Sequence, residues 1–142
     1  MKNVVFICLA SLILSCSNDK EESLASLDSF ILEGFWVLTE QYADPGDGSG
    51  EFQKVQSNKS IQFFSNGSYN ANGSLCILDL RDSPKTKGTY TITSPELTEY
   101  STENFITPDD CNEEKVFILF EDNDLLLSYP CIEGCAQRYV RN

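Results

Sequence analysis

The chain has 142 residues, of which 41% are apolar and 11% aromatic, a composition typical of one globular domain. Its charge is unusual, because 10 Lys and Arg stand against 22 Asp and Glu, a balance of −12. Such an acidic surface repels phosphate backbones and anionic headgroups, so we expect no nucleic-acid partner. The chain has no histidine and therefore lacks the most common general base and transition-metal ligand.

The first residues form a short apolar run behind one cation. Lys2 precedes Val4 to Leu14, a run of eleven residues, whereas a transmembrane helix needs about 20. This pattern is typical of a secretory signal peptide. The run ends in Ile13-Leu14-Ser15-Cys16, which resembles the lipobox of bacterial lipoproteins, although Leu14 is bulkier than the usual small residue. We expect residues 1–15 to be removed and Cys16 to be lipidated, with palmitate among its acyl groups. The alternative is an ordinary signal peptide in which Cys16 has no special role.

Residues 16–22 are polar and charged, which indicates a flexible tether. Lys20-Glu21-Glu22 resembles the export signal of surface lipoproteins in the Bacteroidota. The predicted location is the outer membrane, at the cell surface, with a periplasm-facing anchor as the alternative. Beyond the leader, nine cations and 22 acids give a net charge of −13. Because anionic headgroups repel such a charge, we expect membrane attachment to depend on the lipid.

Residues 23–142 are predicted to form the folded domain. Apolar side chains at helical spacing predict a short helix over 23–33, which Gly34 ends. After it, turn signals separate eight predicted strands. These cover 35–42, 60–64, 68–76, 88–93, 97–105, 115–120, 125–129 and 136–141.

Consecutive strands joined by tight turns favour an antiparallel meander. Eight strands is also the number at which an up-and-down barrel closes and removes its edges. The predicted fold is therefore all-β, an eight-stranded barrel behind a short N-terminal helix. A two-sheet β-sandwich is the alternative.

Of the six cysteines, Cys8 lies in the leader and Cys16 takes the lipid. The remaining four, in an exported chain, indicate two disulfides. We favour Cys131–Cys135, whose spacer ends in Gly134 and suits a tight loop, together with Cys76–Cys111. The alternatives are a four-thiolate zinc site, which needs two close cysteine pairs, and a redox motif, which needs a two-residue spacer.

The order of the strand motifs resembles a known family. Gly34-Phe35-Trp36 is similar to the Gly-any-Trp signature of lipocalins. Residues 63–69 (FFSNGSY) and 88–92 (GTYTI) resemble strand motifs of the lipocalin-like domains of bacterial lipoproteins, as does the ending, residues 131–141. The resemblance covers roughly residues 30–142 and implies an eight-stranded barrel.

The resemblance implies that Trp36 plugs the closed end of the barrel and that an arginine covers it. Arg138 is the first choice for that arginine and Arg141 the second. A barrel of this size holds side chains plus one small ligand. The candidate lining residues are Phe63, Tyr90, Ile92, Phe117, Leu119 and Leu126.

Other motifs have plain explanations. Two acidic groups, Asp44/Asp47/Glu51 and Glu121/Asp122/Asp124, could bind calcium but do not match the twelve-residue calcium loop. The triplets that begin at Asn58, Asn66 and Asn72 match the glycosylation sequence, yet turn chemistry explains them. We therefore expect neither metal nor cofactor.

The sequence contains no recognisable catalytic apparatus. Its serines have no histidine to activate them, and acids in turns lack the burial that tunes a proton donor. We therefore expect a monomeric, non-enzymatic lipoprotein that binds or carries a small hydrophobic ligand. The alternative is a protein-interaction module or accessory envelope factor with a filled barrel and no ligand.

Overall fold

The computed structural model describes residues 32–93, 101–112, 114–132 and 134–142. Nine β-strands lie in this part of the chain. They are β1 (Gly34–Ala43), β2 (Glu51–Lys54), β3 (Ser60–Phe63), β4 (Ser68–Ala71), β5 (Thr86–Thr91), β6 (Phe105–Pro108), β7 (Val116–Glu121), β8 (Asp124–Tyr129) and β9 (Cys135–Arg141). In the described ranges no helix is long and apolar enough to cross a membrane.

The strands form one antiparallel sheet that closes on itself. Each strand from β3 to β9 pairs with the next, and β9 returns to pair with β1, which gives a closed barrel of eight strands. The first half of β1 pairs with β3, and its second half pairs with the extra strand β2. A bulge between Leu38 and Glu40 accompanies this change of partner. The predicted barrel is confirmed, and the sandwich alternative is wrong.

The core lies inside the barrel because burial alternates along the strands. On β7, Val116, Ile118 and Phe120 are buried, and the residues between them are not. On β8, Leu125 and Leu127 are buried in the same alternation. Since successive side chains of a strand point to opposite faces, this pattern assigns one inner and one outer face to these strands.

Several predicted boundaries differ from the observed ones. The strand predicted over 68–76 ends at Ala71, where the Asn72 side chain accepts from the Ser60 amide and donates to the Asn58 carbonyl. Of the strand predicted over 97–105, residues 97–100 lie outside the described residues, 101–104 form a turn, and the observed strand is Phe105–Pro108. Strand β2 was not predicted, because it is mostly exposed and carries no apolar alternation. The helix predicted over 23–33 lies outside the described residues except at positions 32 and 33.

The barrel has two different ends. The near end is where β1 begins at Gly34, and the far end is where β1 finishes at Ala43. At the far end, residues 72–85 connect β4 to β5 and form what we call the capping loop. In this loop Leu75 is fully buried, and Leu78 packs partly buried against the core. The far end is therefore covered by the chain itself.

Candidate functional site

Large side chains occupy the interior of the barrel. Phe63 contacts Tyr90 edge-to-face with ring centroids 5.3 Å apart, and the Tyr69 ring centroid lies 6.0 Å from that of Phe63. Trp36 meets Phe120 edge-to-face at 5.6 Å. All five rings are at least nine-tenths buried. Aromatic pairs of this geometry are worth about 0.5–1.5 kcal/mol beyond the area they bury, so they stabilise a packed interior.

Half of the predicted lining residues lie inside. Phe63 and Tyr90 are interior, and Ile92 packs partly buried against the core. The prediction is wrong for Phe117, Leu119 and Leu126, which alternate with the buried positions and lie on the outer face. Because the apolar runs of β7 and β8 are continuous, their pattern does not distinguish the two faces, and a shift of one residue exchanges the inner face for the outer one.

Trp36 closes the near end together with Arg141. The indole Nε1 donates to the Leu32 carbonyl at 2.9 Å, and the Arg141 guanidinium lies 4.6 Å from the ring centre. Arg141 also donates to the Glu33 carbonyl at 2.6 Å. The first choice, Arg138, is therefore wrong and the second choice is correct. Arg141 is paired with Trp36 across β9 and β1, which places both side chains on one face.

Arg138 lies on the outer face, where it joins three strands. Its guanidinium contacts Glu121 at 2.6 Å, Glu40 at 3.3 Å and Asp124 at 3.6 Å. It also lies 4.4 Å from the centre of the Phe52 ring, on the extra strand β2. Three carboxylates around one guanidinium form a network rather than an isolated surface pair, and such networks hold strands together more effectively.

A buried polar cluster lies inside the barrel below the capping loop. Gln137 is fully buried, and its Oε1 accepts from Lys59 at 3.2 Å and from the Tyr129 and Tyr139 hydroxyls at 2.8 Å each. The carbonyl of Asp79, in the capping loop, accepts from Lys59 Nζ at 2.9 Å and from Gln137 Nε2 at 2.8 Å. These bonds satisfy buried polar groups and attach the loop to the barrel interior.

Burial changes the acidity of this cluster. The loss of hydration lowers the pKa of Lys59 to about 8, against its usual 10.5, although the nearby Asp79 carboxylate acts in the opposite direction. Burial likewise raises the pKa values of Tyr129 and Tyr139 well above 10. No sequence pattern predicted Lys59 or Gln137 as buried. For Gln137, the signal would have been its place two residues before the inward Tyr139 on β9.

Both predicted disulfides are confirmed. Cys76–Cys111 joins the capping loop to the β6–β7 connection, with Cα atoms 5.4 Å apart. Cys131–Cys135 closes the β8–β9 loop, with Cα atoms 6.1 Å apart. Because all four sulfurs are used in these bonds, the described structure leaves no thiolates for a four-thiolate zinc site. Both bonds lie at the far end, and the first fixes the capping loop in place.

The far end also presents apolar side chains to solvent. Ile132, on the loop that Cys131–Cys135 closes, is 96% exposed. Ile77 and Leu80, in the capping loop, are 54% and 38% exposed. Exposed acids lie in the connections at this same end, at Asp47, Asp82, Asp109, Asp110 and Glu114. We call this combination of three apolar residues and acidic surroundings the far-end surface.

A second surface feature is an open groove on the outer face, which we call the outer groove. It has a volume of about 470 Å³ and crosses β1, β3, β4 and β5. It is lined by Phe35, Ser60, Gln62, Asn70, Ala71, Asn72, Lys85, Thr86 and Lys87. No sequence pattern predicted it, because its residues come from four strands and the two ends of the capping loop and are brought together only by the strand register.

The predicted acidic and Asn-Gly turns have local partners. The Asp44 carboxylate accepts from the amides of Gly46, Gly48 and Gly50, and these bonds lower its pKa. Asn66 accepts from the Ser68 amide and hydroxyl. Glu121 and Asp124, from the second acidic group, pair with Arg138 instead. These contacts account for both kinds of motif as turn and strand stabilisation.

The chain matches no protein-family model, no curated protein and no solved structure at a significant level.

Proposed function

We propose that this chain is a lipid-anchored, lipocalin-like protein of the outer membrane that is displayed at the cell surface, and that it acts as a protein-interaction module. In this proposal Cys16 holds the lipid, residues 16–22 are the tether, and the barrel carries no catalytic group. The single observation that carries it is a barrel whose interior is occupied by buried aromatic and polar side chains and whose far end is covered, while exposed apolar residues lie on its surface.

The interior supports an interaction module better than a carrier. A carrier of the predicted kind needs an apolar cavity with an open mouth. Here aromatic side chains occupy the near half, the cluster around Gln137 occupies the far half, and the capping loop covers the mouth. The Cys76–Cys111 disulfide joins the capping loop to the β6–β7 connection. To expose the interior, this loop would have to move while it is cross-linked and would lose the buried hydrogen bonds to its Asp79 carbonyl.

The far-end surface supports a specific kind of partner. Ile132 is almost fully exposed, and the disulfide that closes its loop limits the conformational freedom lost on binding. The surrounding acids favour a protein with an apolar socket and a basic rim. The chain that follows an anchor at Cys16 joins the barrel at the near end, where β1 begins at Gly34. In this proposal the far end therefore points away from the anchor and meets the partner protein.

The test is site-specific crosslinking on living cells. A photoreactive residue replaces Ile132 in the full chain, and the matched control carries it at Glu103, which is exposed near the opposite end. We expect one protein adduct of defined mass from position 132 and none from position 103. The double variant Ile77→Ser, Leu80→Ser should reduce the yield of that adduct severalfold. Equal or absent adducts at both positions would contradict the proposal.

A further inference from the structure

We propose that the outer groove is a binding site for an acidic oligosaccharide. This site is independent of the far-end surface and of the barrel interior. It rests on the residues that the strand register aligns across the outer face.

One row of side chains runs straight across the groove. Phe35 on β1 is directly opposite Gln62 on β3, Gln62 is opposite Asn70 on β4, and Asn70 is opposite Lys87 on β5. Neighbouring strands lie about 4.8 Å apart, so the row is about 14 Å long. An aromatic ring therefore lies at one end, two amides in the middle and a cation at the other end.

The groups in this row are available to a ligand. Phe35 is 39% exposed although it is a large aromatic residue. Gln62, Asn70 and Lys87 are exposed, and in the described part of the chain none of their side chains has a hydrogen bond or an ion pair. A second cation, Lys85, lies beside Lys87 in the same groove. Lys85 and Lys87 therefore place two cations, with no ion pair to another described residue, in one groove of a chain of net charge −12, and these are the groups that an anion would contact.

The wall of the groove is rigid. Asn72 is held by two hydrogen bonds, from the Ser60 amide at 2.6 Å and to the Asn58 carbonyl at 2.8 Å. Thr86 donates from its hydroxyl to the Gly73 carbonyl at 2.9 Å. A site whose walls are fixed before binding loses less conformational entropy when a ligand is bound.

This chemistry matches a sugar chain better than a peptide. The face of an aromatic ring is negatively polarised and packs against the C–H groups of a sugar ring. Side-chain amides both donate and accept, as ring hydroxyls require, and the lysines match carboxylates. An extended peptide binds chiefly by adding a strand to a free sheet edge. Here β3 and β4 are paired on both sides, so the groove offers a face and no edge.

The test uses the detergent-solubilised full chain and three probes, namely a galacturonate trimer, a hyaluronan tetrasaccharide and sialyllactose. We expect saturable binding of at least one by calorimetry, and the side-chain amide signals of Gln62 and Asn70 should shift in NMR spectra. Phe35→Ala and the double variant Lys85→Glu, Lys87→Glu should each weaken binding at least tenfold. Lys54→Glu, a matched exposed lysine outside the groove, should leave it unchanged.

Two further probes separate the alternatives. The methyl ester of a bound uronate, which keeps the sugar and removes its charge, should bind at least fivefold more weakly. A hexaglutamate peptide should bind poorly; if it binds as tightly as the sugars, the site recognises acidic peptides and the proposal is wrong. Failure of all three acidic sugars to bind, or binding that the groove variants do not change, also overturns it.

Discussion

The buried amine of Lys59 predicts an unusual pH dependence of stability. Its side chain is fully buried, and its pKa of about 8 lies below the usual 10.5. Between these two values the unfolded chain binds this proton and the folded chain does not. The free energy of unfolding therefore rises with pH across this window, because ionised Lys59 disfavours the folded state below it.

The magnitude follows from the two pKa values. Linkage with a folded pKa of about 8 and an unfolded pKa of 10.5 gives a rise of about 2 kcal/mol between pH 8 and pH 10. The buried tyrosines act in the opposite direction above about pH 10, since the folded barrel keeps their protons and the unfolded chain loses them. A variant that lacks only Lys59 shares these tyrosine effects, so the difference between the two proteins isolates the amine.

The perturbation is Lys59→Met, which removes the amine and keeps the length of the side chain. In this variant Gln137 Oε1 still accepts from the Tyr129 and Tyr139 hydroxyls, and the Asp79 carbonyl still accepts from Gln137 Nε2. Neither acceptor is therefore left without a hydrogen bond. Urea unfolding followed by tryptophan fluorescence at pH 8, 9 and 10 measures the stability of both proteins. The stability advantage of the variant over the parent should shrink by about 2 kcal/mol across this range.

The control is Lys54→Met, an exposed lysine on β2, whose difference from the parent should stay constant with pH. A constant difference for Lys59→Met as well would refute the burial of the amine and, with it, the polar cluster that attaches the capping loop.

Three further predictions concern stability and are checked by thermal and urea unfolding. Leu127→Ala should lower the free energy of unfolding by about 2–5 kcal/mol, because the side chain is fully buried. Leu126→Ala, on the outer face, should lower it by only about 1 kcal/mol. Equal losses from the two substitutions would contradict the assigned register. Arg141→Gln should cost about 1 kcal/mol through the lost indole contact, and no loss would mean that the arginine does not close the near end. Cys76→Ser with Cys111→Ser opens a bond that spans 35 residues and should cost about 3–4 kcal/mol, with unchanged stability as the contrary result.

The sequence was sufficient for the architecture because that information is local. Alternating strands, tight turns and the number of strands predicted the closed barrel, and the even number of cysteines beyond the leader together with the short Cys131–Cys135 spacer predicted both disulfides. The Gly34-Phe35-Trp36 motif placed Trp36 inside, as observed. These features depend on residues close together in the chain or on the chemistry of the compartment.

The candidate surfaces could not be predicted, because they depend on pairing between distant residues. Whether Arg138 or Arg141 contacts Trp36 depends on which face of the barrel each side chain occupies. Both lie on β9, which pairs with β1, and the bulge between Leu38 and Glu40 shifts the register of this pairing. The row from Phe35 to Lys87 exists only through three separate strand registers. The β6 boundary likewise depends on a non-local bond, from the Thr93 amide to the buried Asn104 side chain.

The central claim is that the barrel is filled by its own side chains and acts through its outer surfaces. Native mass spectrometry of the protein extracted gently from its own host tests it most directly. The account predicts a mass equal to the chain, with the leader removal and the lipid at Cys16 that we propose, and no further small molecule. A stoichiometric hydrophobic compound that stays bound until the protein unfolds would contradict it.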